Sequence, residues 1–151
     1  MMLPTVIQSL SADQTERVGK DLALHILADE SLPRFVALFG DLGVGKTAFV
    51  RGFTGVIAPD ARVKSPTFAL VNEYKGKTIS VFHFDMYRIE DEDELYSIGF
   101  YDYVASKGIC LTEWSENIES SLPDSYIRVE IIKDDASTPD SRKISVELVG
   151  V

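Results

Sequence analysis

Apolar residues recur along the chain with two different periods, and the changes between them mark its elements. Val18, Leu22, Ile26 and Leu27 follow Ser11-Ala12-Asp13-Gln14 at near-helical spacing. Ser11 and Gln14 stand in the S-x-x-Q arrangement of a capping box, which predicts a helix start. That helix ends before Pro33, between Ala28 and Ser31. Arg34 to Phe39 is a short apolar run of strand character, and Thr47 to Arg51 continues as a helix until Gly52 or Gly55. Phe68 to Tyr74 and Thr78 to Phe84 read as strands joined by a hairpin-type turn at Lys75-Gly76-Lys77. Asp91-Glu92-Asp93-Glu94 opens a short helix, its acids in the first turn where the dipole favours them. They form either a solvated helix start or a face for a partner. Ile109 to Glu113, Tyr126 to Ile132 and Lys143 to Val149 are further strands, the last two joined by the polar loop Asp134 to Ser141. Strands alternate with helices early and run as hairpins later. This predicts an α/β fold whose mixed sheet is parallel at its centre, flanked by helices, with C-terminal antiparallel strands.

Between the strand at Arg34–Phe39 and the helix after it lies Gly40-Asp41-Leu42-Gly43-Val44-Gly45-Lys46-Thr47, which has the spacing G-x-x-x-x-G-K-[ST]. Strand, glycine loop and helix stand in the order of a phosphate-binding loop, so the fold predicted is P-loop nucleotidase-like. Glycines let successive N–H groups turn toward one anion, and the helix N-terminus adds partial positive charge. In this arrangement Lys46 reaches the β- and γ-phosphates and the Thr47 hydroxyl ligates Mg²⁺.

A phosphate loop binds phosphate; hydrolysis also requires an acid for Mg²⁺ and a group that orients water. Ligands of open α/β sheets bind beyond the carboxyl ends of strands. Two strands end in acids there, Ile79–Phe84 in Asp85 and Ile109–Thr112 in Glu113. If both flank Phe35–Phe39 in parallel, Asp85, Glu113 and Thr47 converge, and their oxygens suit a hard cation such as Mg²⁺. Either acid could equally be an ordinary strand-end residue. Lys64-Ser65-Pro66-Thr67 is either a γ-phosphate-sensing switch, with Thr67 as donor, or a plain X-Pro turn into a strand. Arg88 could stabilise phosphate charge in cis or serve a surface or structural ion pair. His83, between Phe82 and Phe84, reads as structural or partner-facing rather than as a metal ligand, and His25 is isolated.

At 151 residues, one domain spanning 1–151 is expected. No apolar stretch approaches a membrane span, and the start, Met1-Met2-Leu3-Pro4-Thr5, has no basic region followed by a long apolar run, so no secretory signal is expected. One cysteine, Cys110, excludes an internal disulfide and fits a reducing cytoplasm; its apolar surroundings read as a buried strand. The net charge of −9 provides no basic footprint, which argues against gripping RNA or DNA unaided and for a solvated surface or a basic protein partner.

Taken in order, Gly40–Thr47, Ser65-Pro66-Thr67-Phe68, Leu70-Val71-Asn72-Glu73-Tyr74, His83-Phe84-Asp85-Met86-Tyr87-Arg88 and Thr112-Glu113-Trp114 resemble the TsaE (YjeE) family of bacterial P-loop ATPases needed for threonylcarbamoyladenosine modification of tRNA. The resemblance spans about residues 8 to 125 and is loose beyond them. It implies ATP and Mg²⁺ as cofactors, held by Gly40, Asp41, Leu42, Gly43, Val44, Gly45, Lys46 and Thr47. It implies Lys46, Asp85 and Glu113 as the catalytic set, with Thr47, Asp85 and Glu113 around the metal and Ser65 and Thr67 in the switch. The family's base-proximal regions fall on Asp13 to Thr15 and on Arg142. Val44 stands where the family often has Ala. The implied partners are a threonylcarbamoyl-transferase subunit and its inactive paralogue, with tRNA contacted indirectly or weakly. A monomer is compatible with this reading.

Two enzyme alternatives are a small-molecule kinase and a GTPase. The seven arginines are scattered, without the cluster of a kinase lid, and no N-K-x-D guanine motif occurs. A nucleotide-sensing scaffold, regulated by binding rather than hydrolysis, is a third possibility that sequence leaves open.

Overall fold

Seven strands form one sheet in a computed structural model that describes residues 1–41, 43–66, 70–135 and 137–150. In chain order the strands are β1 (Thr5–Ser9), β2 (Phe35–Phe39), β3 (Val71–Lys75), β4 (Ser80–Asp85), β5 (Ile109–Glu113), β6 (Tyr126–Lys133) and β7 (Arg142–Val149). They are arranged β1-β7-β6-β2-β5-β4-β3. The pairs β6–β2, β2–β5 and β5–β4 are parallel, whereas β1–β7, β7–β6 and β4–β3 are antiparallel. The mixed sheet, parallel at its centre and flanked by helices, is the one expected. In one detail the expectation fails: β4 does not flank β2. The C-terminal strand β6 takes that side, and β4 lies one strand further out, against β5.

Alternation along the central strands divides the core between two faces. Val36, Leu38, Ile109, Leu111, Ile127 and Val129 point to one side, where they meet helices α1 (Ala12–Ala28) and α2 (Lys46–Ile57). Phe35, Ala37, Phe39, Phe82, Phe84 and Cys110 point to the other, beneath α3 (Glu92–Ser97), α4 (Phe100–Val104) and a 3-10 segment, Ser115–Ser121. Cys110 is thus buried, as read from its neighbours, and burial pushes its thiol up to about 12.

The Ser11 side chain accepts from Gln14 N–H at 3.2 Å, and the Gln14 side chain accepts in return from Leu10 N–H at 2.7 Å, so the first helix starts at the expected cap. The second helix does not stop at Gly52 or Gly55 but runs to Ile57. Gly52 is there because α1 passes so close that a Cβ would stand 1.8 Å from the Glu16 carbonyl oxygen. The expected hairpin of β3 with β4 is present, but β3 starts at Val71: Leu70 turns with φ +60°, and Phe68 and Ala69 lie outside the described residues. Asp91 caps α3 by accepting from Glu94 N–H at 3.0 Å, and Asp91, Glu92 and Asp93 are exposed. Strand β1, helix α4 and the 3-10 segment carry too few periodic residues to be read from sequence. Among the described residues, no helix is long and apolar enough to cross a membrane.

Candidate functional site

Strand β2 is buried along its whole length and delivers the chain into the glycine loop at the sheet's carboxyl edge. Gly40 turns with φ +143°, and a Cβ there would lie 2.4 Å from the Ile131 carbonyl oxygen, so only glycine fits beside β6. Gly45, with φ +104°, caps α2, and the helix N-terminus faces the loop. Val44 is buried and directed into the core, so the difference from Ala costs the loop nothing. Asp41 and Gly43 are exposed, and Leu42 lies outside the described residues.

Lys46 is only 5% exposed. Its Nζ donates to the Gly40 carbonyl at 2.6 Å and lies 4.0 Å from the centroid of the Trp114 ring. Burial lowers its pKa below the usual lysine value, opposed by the attraction of Glu113, Glu116, Asp85 and Asp41. Thr47, half-buried, follows in the first turn of α2.

Asp85 and Glu113 are register partners at the ends of β4 and β5 and therefore stand side by side on one face. The expected convergence of Asp85, Glu113 and Thr47 assumed that both strands flank β2; with β4 outside β5, the two acids are still brought together by the pairing of their own strands. Burial raises Asp85 above the usual carboxylate range; the Tyr87 N–H, donating to Oδ1 at 3.0 Å, pulls the other way, and Glu113 raises it further. Met86 N–H donates to the Glu113 carbonyl at 3.0 Å and pins the two strand ends together. Oxygen donors from Asp85, Glu113 and Thr47 fit a hard cation that retains waters. No group of three or more His, Cys, Asp or Glu side chains suited to a metal occurs among the described residues.

The remaining expected residues are placed less directly. Thr15 is buried, its hydroxyl 2.7 Å from the Ser9 hydroxyl, and a Cβ on Gly45 would touch its methyl at 3.8 Å. Asp13 is exposed and lines a groove between α1 and α2. Arg142 donates from Nε to the Val44 carbonyl at 3.0 Å and from a terminal nitrogen to that of Gly43 at 3.4 Å, so its guanidinium braces the loop. Ser65 is exposed beside buried Pro66, Thr67 lies outside the described residues, and Arg88 is exposed.

Three contacts were not foreseen from the sequence. Glu116 accepts from the loop's own Gly40 N–H at 3.0 Å. Trp114 adopts a left-handed backbone with φ +58°, a strained conformation for a bulky residue, and so covers Lys46. His83 is fully buried and its Nε2 lies 2.5 Å from Glu113 Oε2, which excludes a partner-facing role and fits the structural one. Period-two alternation already puts His83 on the face of Asp85, but its contact depends on β5 being the neighbour.

The sequence model of the TsaE family, described as threonylcarbamoyl adenosine biosynthesis protein TsaE, matches residues 9–144. A Bacillus subtilis (strain 168) relative named tRNA threonylcarbamoyladenosine biosynthesis protein TsaE is 33% identical over 143 residues, covering 95% of this chain and 85% of its own. The protein of that name from Haemophilus influenzae is 46% identical over 118 residues, covering 76% of this chain and 73% of its own. The crystal structure of Bacillus subtilis YdiB superposes with a TM-score of 0.74 at 26% identity, covering all of this chain and 88% of that one.

Proposed function

The chain belongs to the TsaE family, and on that premise we propose that it is a Mg²⁺-dependent ATPase of tRNA threonylcarbamoyladenosine biosynthesis, working in the cytoplasm within a protein assembly. The observation that carries this reading is Lys46, seated under a glycine loop within the electrostatic reach of the Asp85–Glu113 pair. Loop amides and Lys46 bind the triphosphate chain. Thr47 and Asp85 would hold Mg²⁺, which when bound neutralises phosphate charge. Glu113 either completes the metal's ligands or accepts a hydrogen bond from the attacking water. Burial of Lys46 and Glu113, both under 10% exposed, strengthens these interactions by excluding solvent.

A slow basal turnover raised by partners fits a switch segment whose first residue, Ser65, is exposed. The partners we assign are the threonylcarbamoyl-transferase subunit and its inactive paralogue. The test is ATP hydrolysis measured with and without those two proteins, for the wild type, Lys46→Ala and Glu113→Ala. Both variants are expected to lose about 100-fold or more in turnover, the scale of a charge-stabilising group at a reacting centre. Wild-type rates in both variants would reject the site.

A further inference from the structure

His83 is a polar side chain with no exposure, and both of its ring nitrogens are engaged. Nε2 contacts Glu113 Oε2 at 2.5 Å; Nδ1 contacts the Tyr74 hydroxyl at 3.2 Å. That hydroxyl in turn meets the backbone of Lys64, lying 3.2 Å from its N–H and 3.0 Å from its carbonyl. The Asn72 side-chain amide donates to the same carbonyl at 2.9 Å. An unbroken line of hydrogen bonds therefore runs from a buried carboxylate to exposed Lys64, the residue before Ser65-Pro66.

One assignment of hydrogens gives every member a partner, with the single Tyr74 hydroxyl hydrogen turned from the Lys64 carbonyl to His83. Lys64 N–H donates to the Tyr74 oxygen, Tyr74 O–H donates to His83 Nδ1, and His83 Nε2–H donates to Glu113. Asn72 then supplies the Lys64 carbonyl. All three donors in the line point toward Glu113. An imidazole so held fixes the orientation of the acid it touches, as partners of catalytic carboxylates and metal ligands do elsewhere. The three elements involved, β3, β4 and β5, are consecutive in the sheet, so the strands fix the spacing of the line.

We infer that Tyr74 and His83 are positioning residues that set the rotamer of Glu113 and register it to the backbone entering the Ser65–Pro66 segment. A displacement of that segment reaches the carboxylate through the two side chains. The inference rests on the role given to Glu113 above and adds to it a route by which the surface governs that acid.

The test is a double-mutant cycle on ATP turnover with Tyr74→Phe, His83→Gln and the double variant, run beside the wild type. Tyr74→Phe removes one hydroxyl and retains the ring. It is expected to lower kcat about tenfold while KM for ATP stays within about twofold, since misorientation of a reacting group acts on the chemical step. Gln at position 83 retains a donor toward Glu113 but cannot take the Tyr74 hydrogen at the position of Nδ1. In that background Tyr74→Phe should therefore cost nothing further. Independent of turnover, the His83 Nε2–H resonance in NMR should shift in both Tyr74→Phe and Glu113→Gln. Wild-type kcat in Tyr74→Phe, effects that multiply in the double variant, or a resonance blind to Tyr74→Phe would each overturn the inference. Absence of turnover in the wild type with its partners would instead overturn the ATPase reading, and the resonance would still decide whether the relay exists.

Discussion

Asp85 carries a conflict between folding and chemistry. Burial, its largest perturbation, holds the carboxyl above its usual value of 3.8, so the folded chain binds that proton more tightly than the unfolded one. Stability contributed by this group is therefore present at low pH and declines as pH rises from the unfolded value through the raised one. Asp85→Asn retains the acceptor for Tyr87 N–H and abolishes the charge. Its melting temperature at neutral pH should equal or exceed that of the wild type, with the decline through the acid range reduced, while Mg²⁺-dependent turnover falls at least tenfold. Calorimetry across pH and a turnover assay check the two halves. The loop residues, Lys46, Asp85 and Glu113 were legible because fixed spacing and strand-end position are properties of the sequence itself. The contacts of Glu116, Trp114 and His83 were not, because each joins residues far apart in the chain, 76 positions for Glu116 and Gly40; that of Tyr74 with His83, nine positions away, depends on the register of β3 against β4. Such contacts follow from which strands become neighbours.

Helices α1 and α2 show the same division one level up. Their starts were readable from a capping box and from the glycine loop. The continuation of α2 through two glycines was not, because local propensity favours a stop there. The deciding fact is tertiary: at Gly19 a Cβ would stand 2.1 Å from the Phe49 carbonyl oxygen, and at Gly52 the approach to Glu16 is closer still. Two helices in backbone contact need glycine on both sides. Alanine would gain about 1 kcal/mol of helix propensity, but forcing the helices apart costs roughly 1–3 kcal/mol and more where the obstacle is backbone. Gly52→Ala should therefore lower the melting temperature by several degrees, and a rise would show that the helices separate without penalty. Because α2 begins at Lys46, the same variant is expected to weaken nucleotide binding measurably by calorimetric titration.

At the scale of the whole molecule, charge and topology set the terms of association. With 24 acidic against 15 basic residues, the chain has no excess of cations with which to release counterions from a polynucleotide. Fluorescence anisotropy with labelled tRNA at physiological salt should show no saturable binding by this chain alone; micromolar or tighter binding would contradict the partner-mediated reading. The fold class was readable because parallel and antiparallel strands leave different connections, but the strand order was not, since nothing local says that β6 rather than β4 lies beside β2. That order governs the birth of the protein. Among the described residues, strand β2 pairs with β5 and β6 alone, and β1 pairs with β7, Thr5 meeting Val146. A chain emerging from the ribosome thus carries β2 unpaired until β5 and β6 have followed it, and the loop unbraced until Arg142 has. Arg142, which holds the Val44 and Gly43 carbonyls, lies 98 and 99 residues beyond them. The glycine loop is therefore made well before the contacts that brace it, and in that interval β2 is an edge to protect.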